Sequence, residues 1–216
     1  MNRMIRMTLC VVVIGMVLSL GVAVVGAQTG SGRFPQLKKE ALTPEQQRVA
    51  AEIVKQSSSG IQGPWNVMLR SPEMAERLTK LLDYLRLKTS VPLRLNEMAI
   101  LMTARHWSSH YEWWAHVKHA KKAGLSEAVM ADLAAGKRPE AMQPDEAAVY
   151  DFLTELLRTN FVSDATFNKA KATLGEQQVV DLMAVSGTYM LVSMLLNTAE
   201  VMPNDGSRPL PTIPTR

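Results

Sequence analysis

The spacing of apolar residues predicts helices along most of the chain. Apolar side chains recur every three or four residues, and no segment shows the alternation of a half-buried strand. We therefore predict an all-α fold. The helices are expected over residues 44–56, 72–85, 93–105, 110–123, 127–135, 145–159, 164–174 and 176–200, after a short segment that ends at residue 70.

Capping residues set the expected helix boundaries. Thr43 stands directly before a proline, which is the arrangement of an N-cap followed by the first helical residue. Ser108 or Ser109 is expected to cap a new helix in the middle of the chain, with Glu112 as an acid in its first turn. Gly124 is expected to end that helix. Ser126 and Ser163 are expected to cap the starts of two later helices.

The last predicted helix, 176–200, is apolar on nearly every side. A helix of this kind must be covered all round, and one small domain does not supply enough surface to cover it. This pattern predicts a homo-oligomer.

The first 27 residues have the layout of a secretory signal peptide. Arg3 and Arg6 precede an apolar run that extends from 9 to 27, and cleavage is expected after Ala27. The predicted location is periplasmic or secreted. The run of 19 residues is also long enough to span a bilayer, so an uncleaved membrane anchor is the alternative.

The rest of the chain divides into three parts. Residues 28–42 lack any period and are interpreted as a linker or arm, 43–202 form a single helical domain, and 203–216 form a proline-rich tail.

Loss of the leader removes Cys10, the only cysteine, so disulfides and thiol catalysis are excluded for the exported form. Of the 24 Lys and Arg residues, two lie in the leader, which leaves 22 basic against 20 acidic residues. This near balance gives no indication of a nucleic-acid partner.

Most of the candidate chemistry lies within residues 97–124. Glu112 and His116 stand four residues apart, so a helix brings their side chains together, and Ser109 belongs to the same stripe. A carboxylate beside an imidazole favours the imidazolium and keeps a proton available near neutral pH. All four histidines and three of the four tryptophans fall within 106–119.

Each of these features also has an ordinary structural explanation. A Glu/His pair at this spacing is common on solvated helix faces, and tryptophans at helical spacing are usually part of the core. Zinc ligation is not predicted, because the HExxH motif is absent.

The same segment, EMAIL…ARHWSSHYEWWAHVKHAKKAGLSEAVMADL, resembles the carboxymuconolactone decarboxylase family, which includes the alkylhydroperoxidase D-like proteins. The similarity extends from residue 63 to 202 and includes GPWNVMLRSP and the segment from ELLRTNF to SMLLN. It implies an all-α alkylhydroperoxidase D-like bundle that assembles as a trimer or hexamer, with a small-molecule substrate, no metal and no organic cofactor.

The chain departs from the peroxidase branch of that family at two positions. In that branch a Glu is followed by a Cys after twelve residues, a second Cys three residues later and a His four residues after that. Counting from Glu97 gives Ser109, Glu112 and His116 instead. Neither Ser109 nor Glu112 can replace a thiolate that reduces peroxide. The remaining ExxxH pattern resembles the decarboxylase branch.

The resemblance implies proton transfer to the carbon that loses CO₂ next to a lactone. His116 is the predicted proton donor, Glu112 would hold it, and Glu97 would orient it or act as a second relay. Ser109 is a candidate oxyanion donor. The candidate substrate-binding residues are Arg70, Arg105, Trp107, Tyr111, Trp113 and His119, for which salt bridges or core packing are the alternatives.

Two other functions stay open at this stage. One is an exported small-molecule binding protein that uses the family's pocket without turnover. The other is a hydrolase, isomerase or dehydratase that acts on a lactone or related acid.

Overall fold

A computed structural model describes residues 33–57 and 59–213. The predicted leader, with Cys10, lies outside the described residues, as do the start of the arm and the last three residues of the tail.

The described residues form helices and no strands, which confirms the all-α prediction. A short 3-10 turn at Lys39–Ala41 precedes the α-helices. Their bounds agree with the sequence prediction to within about two residues. They are α1 (Pro44–Gln56), α2 (Pro64–Met68), α3 (Pro72–Leu87), α4 (Leu93–His106), α5 (His110–Lys122), α6 (Glu127–Ala134), α7 (Pro144–Thr159), α8 (Asp164–Leu174) and α9 (Glu176–Ala199).

The side chains of the predicted caps behave differently from one another. Thr43 forms a capping box with Gln46, and Ser126 accepts a hydrogen bond from the first turn of α6. Ser109 is the N-cap of α5 by position, but its side chain accepts no capping hydrogen bond. The predicted capping role of its hydroxyl is therefore wrong.

Helix α4 forms the centre of the molecule. Every residue from Leu95 to Ala104 is buried, and the helix packs against α5, α6, α7 and α9. Because α4 is covered on all sides, Glu97 on its second turn lies in the interior.

Helix α9 is covered on only one side within the chain. Val185, Leu182 and Leu196 are fully buried, whereas the opposite side is exposed. We call that side the exposed α9 face, and it consists of Val180, Met183, Leu191 and Met194. Among the described helices, α9 alone is long and apolar enough to cross a membrane by length and composition, although 56% of its most apolar stretch is buried in the fold.

The described parts of the arm and the tail both pack on the helices. Asn66 of α2 binds the arm through the backbone N–H of Leu37 and the carbonyl of Phe34. Leu210 of the tail is buried, and Asp205 accepts a hydrogen bond from the indole of Trp114. The tail therefore runs beside α5.

Candidate active site

The packing of α5 on α4 brings three ionisable side chains together. Glu112 and His116 lie on adjacent turns of α5, and Glu97 comes from α4. The link between the two helices is tight because Ser108 adopts a left-handed conformation, with φ of 48°. This turn reverses the chain, so that α5 packs closely along α4.

His116 lies between the two carboxylates. Its Nδ1 is 2.7 Å from Oε2 of Glu97, and its Nε2 is 3.2 Å from Oε1 of Glu112. The three side chains are 8%, 5% and 4% exposed, respectively. The ring of Tyr189 meets the imidazole edge-on, with 5.0 Å between ring centroids. The imidazole is therefore fixed on both nitrogens and on one side.

The two carboxylates determine the charge of His116. Burial lowers the pKa of the imidazole, but the negative charges and hydrogen bonds of Glu97 and Glu112 outweigh burial and raise it to about 9. His116 is therefore an imidazolium at neutral pH, with both ring nitrogens donating. Burial raises the pKa of Tyr189 well above its ordinary value, so this hydroxyl is neutral.

A cavity of about 290 Å³ opens beside this group, with Glu112 and His116 in its wall. Glu97 does not line the cavity and lies behind the imidazole. Aromatic side chains from α2, α5 and α9 form much of the surface: Trp65, Tyr111, Trp114 and Tyr189. The polar lining includes Arg86, Lys118 and His119.

Gly63 allows Tyr111 to reach the cavity. This glycine has φ of 59°, and a Cβ atom at its position would stand 2.2 Å from the Tyr111 hydroxyl oxygen. A larger residue would therefore displace the tyrosine as well as strain the backbone.

Of two further predicted residues, His119 lines the cavity and Ser109 does not. Ser109 is completely buried, and its hydroxyl has no hydrogen-bond partner among the described residues. It is not part of the cavity wall. His119 lines the cavity, and burial lowers the pKa of its imidazole, so it is neutral at pH 7.

The structure places the two predicted arginines outside this cavity. Arg70 donates to the carbonyl oxygens of Asn66 and Pro35. Arg105 donates to the carbonyl of Pro211 and lines a separate, shallower groove of about 990 Å³. Both guanidinium groups thus hold the arm or the tail in place, and the predicted carboxylate-binding role does not apply to this cavity.

Trp107 and Trp113 also lie outside it. Trp113 is 4% exposed and belongs to the core on the other side of α5. The backbone carbonyl of Trp107 accepts a hydrogen bond from Asn197. The indole of Trp113 therefore fits the packing interpretation, whereas that of Trp107 is half-buried and does not belong to the core cluster.

Sequence reasoning missed several residues of the cavity wall, among them Arg86, Lys118 and Tyr189. Arg86 follows Leu82 by four residues and so falls beside the buried face of α3, which was a usable signal. Tyr189 had no local signal, because α9 is apolar on either side of it. In the described part of the chain, no group of three or more His, Cys, Asp or Glu side chains is arranged to hold a metal ion.

The all-α fold of this chain is similar to that of alkylhydroperoxidase D-like structures. No protein-family model matches the chain, and neither does any curated protein. The fold resemblance comes instead from solved structures. One is an alkylhydroperoxidase AhpD core from Ralstonia eutropha JMP134, described as an uncharacterized peroxidase-related protein, with a TM-score of 0.68 and 20% identity over 80% of this chain and 92% of that one.

A second similar structure is an uncharacterized peroxidase-related protein from Silicibacter sp. TM1040. It has a TM-score of 0.68 and 14% identity over 85% of this chain and 95% of that one. At these identities the similarity shows the fold alone. The fold expected from the sequence resemblance is thereby confirmed.

Proposed function

We propose that the protein is a cofactor-independent enzyme that transfers a proton to a small lactone or carboxylic acid as it loses CO₂. The observation that carries this proposal is the position of His116, held as an imidazolium between Glu97 and Glu112 at the wall of a cavity. A general acid needs a proton that is fixed in direction and reaches the substrate.

The two carboxylates have different roles in this proposal. Glu97 lies behind the ring and holds Nδ1–H, which leaves Nε2 directed toward the cavity side. Glu112 meets Nε2 through one carboxylate oxygen, and its other oxygen, Oε2, is buried without a hydrogen-bond partner among the described residues. Glu112 is thus the group that receives or passes on the proton of Nε2 next to the substrate.

The reaction breaks the bond between a carboxylate carbon and the carbon next to a lactone or other electron-withdrawing group. CO₂ leaves, and the electron pair stays on that carbon as an enolate-like anion. His116 supplies the proton that neutralises it, either from Nε2 directly or through Glu112, and regains a proton from solvent afterwards. Because the site is buried, the imidazolium stabilises the developing negative charge more strongly than it would in water.

Thiol peroxidase chemistry has no support in this site. Ser109 and Glu112 occupy the positions at which the peroxidase pattern has its two cysteines. A serine hydroxyl is not ionised at ordinary pH, and a carboxylate forms no disulfide, so neither step of thiol-dependent peroxide reduction has its reactant.

A screen of lactone carboxylates and other activated carboxylic acids, with released CO₂ measured in D₂O, tests the proposal. The expected result is CO₂ release with one deuterium on the carbon that lost it, strongly reduced in His116→Gln. His106→Gln is the matched control, because His106 is exposed and lies outside the cavity. CO₂ release that is unchanged in His116→Gln would overturn the proposal. Binding without turnover in the wild type would support a binding protein instead.

A further inference from the structure

The guanidinium of Arg86 has no polar partner in the described part of the chain, although it lines the cavity. Its Nε is buried and makes no hydrogen bond there, and none of the described carboxylates forms a salt bridge with it. Of the other lining cations, His116 is paired with two carboxylates, and Lys118 lies 5.4 Å from the ring centroid of Trp114 and is exposed. Arg86 is therefore the unpaired cation of the cavity.

Leaving guanidinium N–H groups unpaired away from bulk water is unfavourable, since each loses its hydration without gaining a new acceptor. Glu112 is the only carboxylate in the described wall, and it pairs with His116 and not with Arg86. Nothing in the described part of the chain pairs with Arg86, and a bound anion can supply the acceptor. A planar anion supplies two acceptors in the geometry that the guanidinium fork matches.

Arg86 also faces the same space as the acid–base group. It acts electrostatically on both His119 and Tyr189, which line the cavity, and Tyr189 contacts the ring of His116. Leu82, one turn earlier on α3, lines the cavity with it. An anion held by Arg86 would lie beside the aromatic wall and within the same cavity as His116.

We propose that Arg86 is the specificity-determining residue of this cavity. Its guanidinium binds a carboxylate group of the ligand, so the cavity selects anionic over neutral molecules. The aromatic side chains favour a flat, partly apolar body attached to that carboxylate. The inference that the bound acid is also the substrate rests on the proposed function. The preference for binding a carboxylate does not depend on the proposed function.

Calorimetric titration of the purified protein tests this with two matched pairs of probes. These are benzoate with benzamide, and 5-oxotetrahydrofuran-2-carboxylate with its amide. We expect the unaltered protein to bind at least one carboxylate about tenfold more tightly than its amide, the difference typical of one charge-assisted contact. Arg86→Met, which keeps an apolar stem of similar length, should remove the preference, and Arg86→Lys should keep part of it.

Arg77→Met is the matched control, because Arg77 lies on the same helix but is exposed, pairs with Glu73 and does not line this cavity. It should bind like the unaltered protein. If Arg86→Met does not fold, Arg86→Gln gives the same comparison. A preference that persists without Arg86, or that is absent from the unaltered protein up to tens of millimolar probe, overturns the inference.

His116→Gln separates this inference from the proposed function. It should retain the carboxylate preference while turnover is lost. If no CO₂ release is found in any screen but Arg86-dependent binding is present, the catalytic proposal fails and the binding inference stands. If His116-dependent CO₂ release is found and the preference does not depend on Arg86, the inference fails alone.

Discussion

Nδ1 of His116 lies 2.7 Å from Oε2 of Glu97, although 19 residues separate the two in the chain. The contact joins α5 to α4 and fixes which imidazole nitrogen faces away from the cavity. It also places a second carboxylate beside a ring that already has Glu112 as its neighbour on the same helix. The pair therefore sets both the direction and the charge of His116.

His116→Gln should lower turnover by about 10²–10⁴-fold, the range that a general acid–base group usually supplies. The glutamine retains polar contacts but has no proton to exchange near neutral pH. Steady-state kinetics on a substrate found in the CO₂ screen measures this.

Glu112→Gln should shift the alkaline limb of the pH–rate profile to lower pH. Removing a negative neighbour lowers the pKa of His116 from about 9, so the imidazolium is lost earlier as pH rises. The double variant with His116→Gln should be no worse than His116→Gln alone, because the carboxylate acts through the imidazole. Fully additive losses would show that Glu112 acts independently.

The stability of the protein should depend on the protonation of His116. Its folded pKa, about 9, is above the ordinary value of 6.5, so its contribution is complete below about pH 6.5 and is lost as pH rises through about 9. The shift corresponds to a contribution on the order of 3 kcal/mol. Urea unfolding at pH 6, 7.5 and 9 measures it, with the same series for His116→Gln as the reference.

In that comparison, the difference in unfolding free energy between the unaltered protein and His116→Gln should shrink from pH 6 to pH 9. Glu97→Gln should reduce the pH dependence, because it removes the largest charge contribution that raises the pKa. A difference that is constant over this range would rule out a charged His116 in the folded state.

The protein should not reduce hydroperoxides with a dithiol reductant. The described residues contain no cysteine, and the single cysteine of the chain, Cys10, lies in the predicted leader. Cys10→Ala in the full chain should leave the background rate unchanged. Peroxide consumption above background that is abolished by His116→Ala would contradict this expectation.

We propose that the exposed α9 face binds a second copy of this chain. Its four residues share one side of the helix, and Leu191 also lines a shallow apolar groove with Leu78 and Leu81 of α3. The face carries no charge, so a copy of itself is chemically complementary to it. Light scattering of the full chain should give a multiple of its 23.9 kDa mass.

Leu191→Glu should lower that mass toward the monomer, since a carboxylate in an apolar interface is strongly disfavoured. Val54→Glu, at a position 56% exposed on α1, is the matched control and should leave the mass unchanged. A monomer mass for the unaltered protein at micromolar concentration would contradict the proposal.

The elements of the fold could be predicted from the sequence because their signals are local. Thr43 with its following proline, and Ser126 and Ser163 as caps, fixed the starts of three helices that the structure confirms. Glu112 and His116 likewise share a helix face. The proximity of Glu97 to His116 could be expected only from the family resemblance, since the two residues lie on different helices.

The rest of the cavity depends on packing between distant segments. Tyr189 on α9 and Trp65 on α2 meet α5 only after the chain folds. Arg70 and Arg105 show the same limit, because nothing local indicated that the arm and tail would supply carbonyl acceptors for them. Charge alone did not distinguish these arginines from Arg86.

The pKa of His116 is the most direct test of this account. Titration of ¹⁵N-histidine-labelled protein by NMR, with His116→Gln used to assign the resonance, should show both ring nitrogens protonated at pH 7 and a transition near pH 9. Glu97→Gln and Glu112→Gln should each move the transition to lower pH. A neutral His116 at pH 7, with a transition at or below 6.5, would contradict the account.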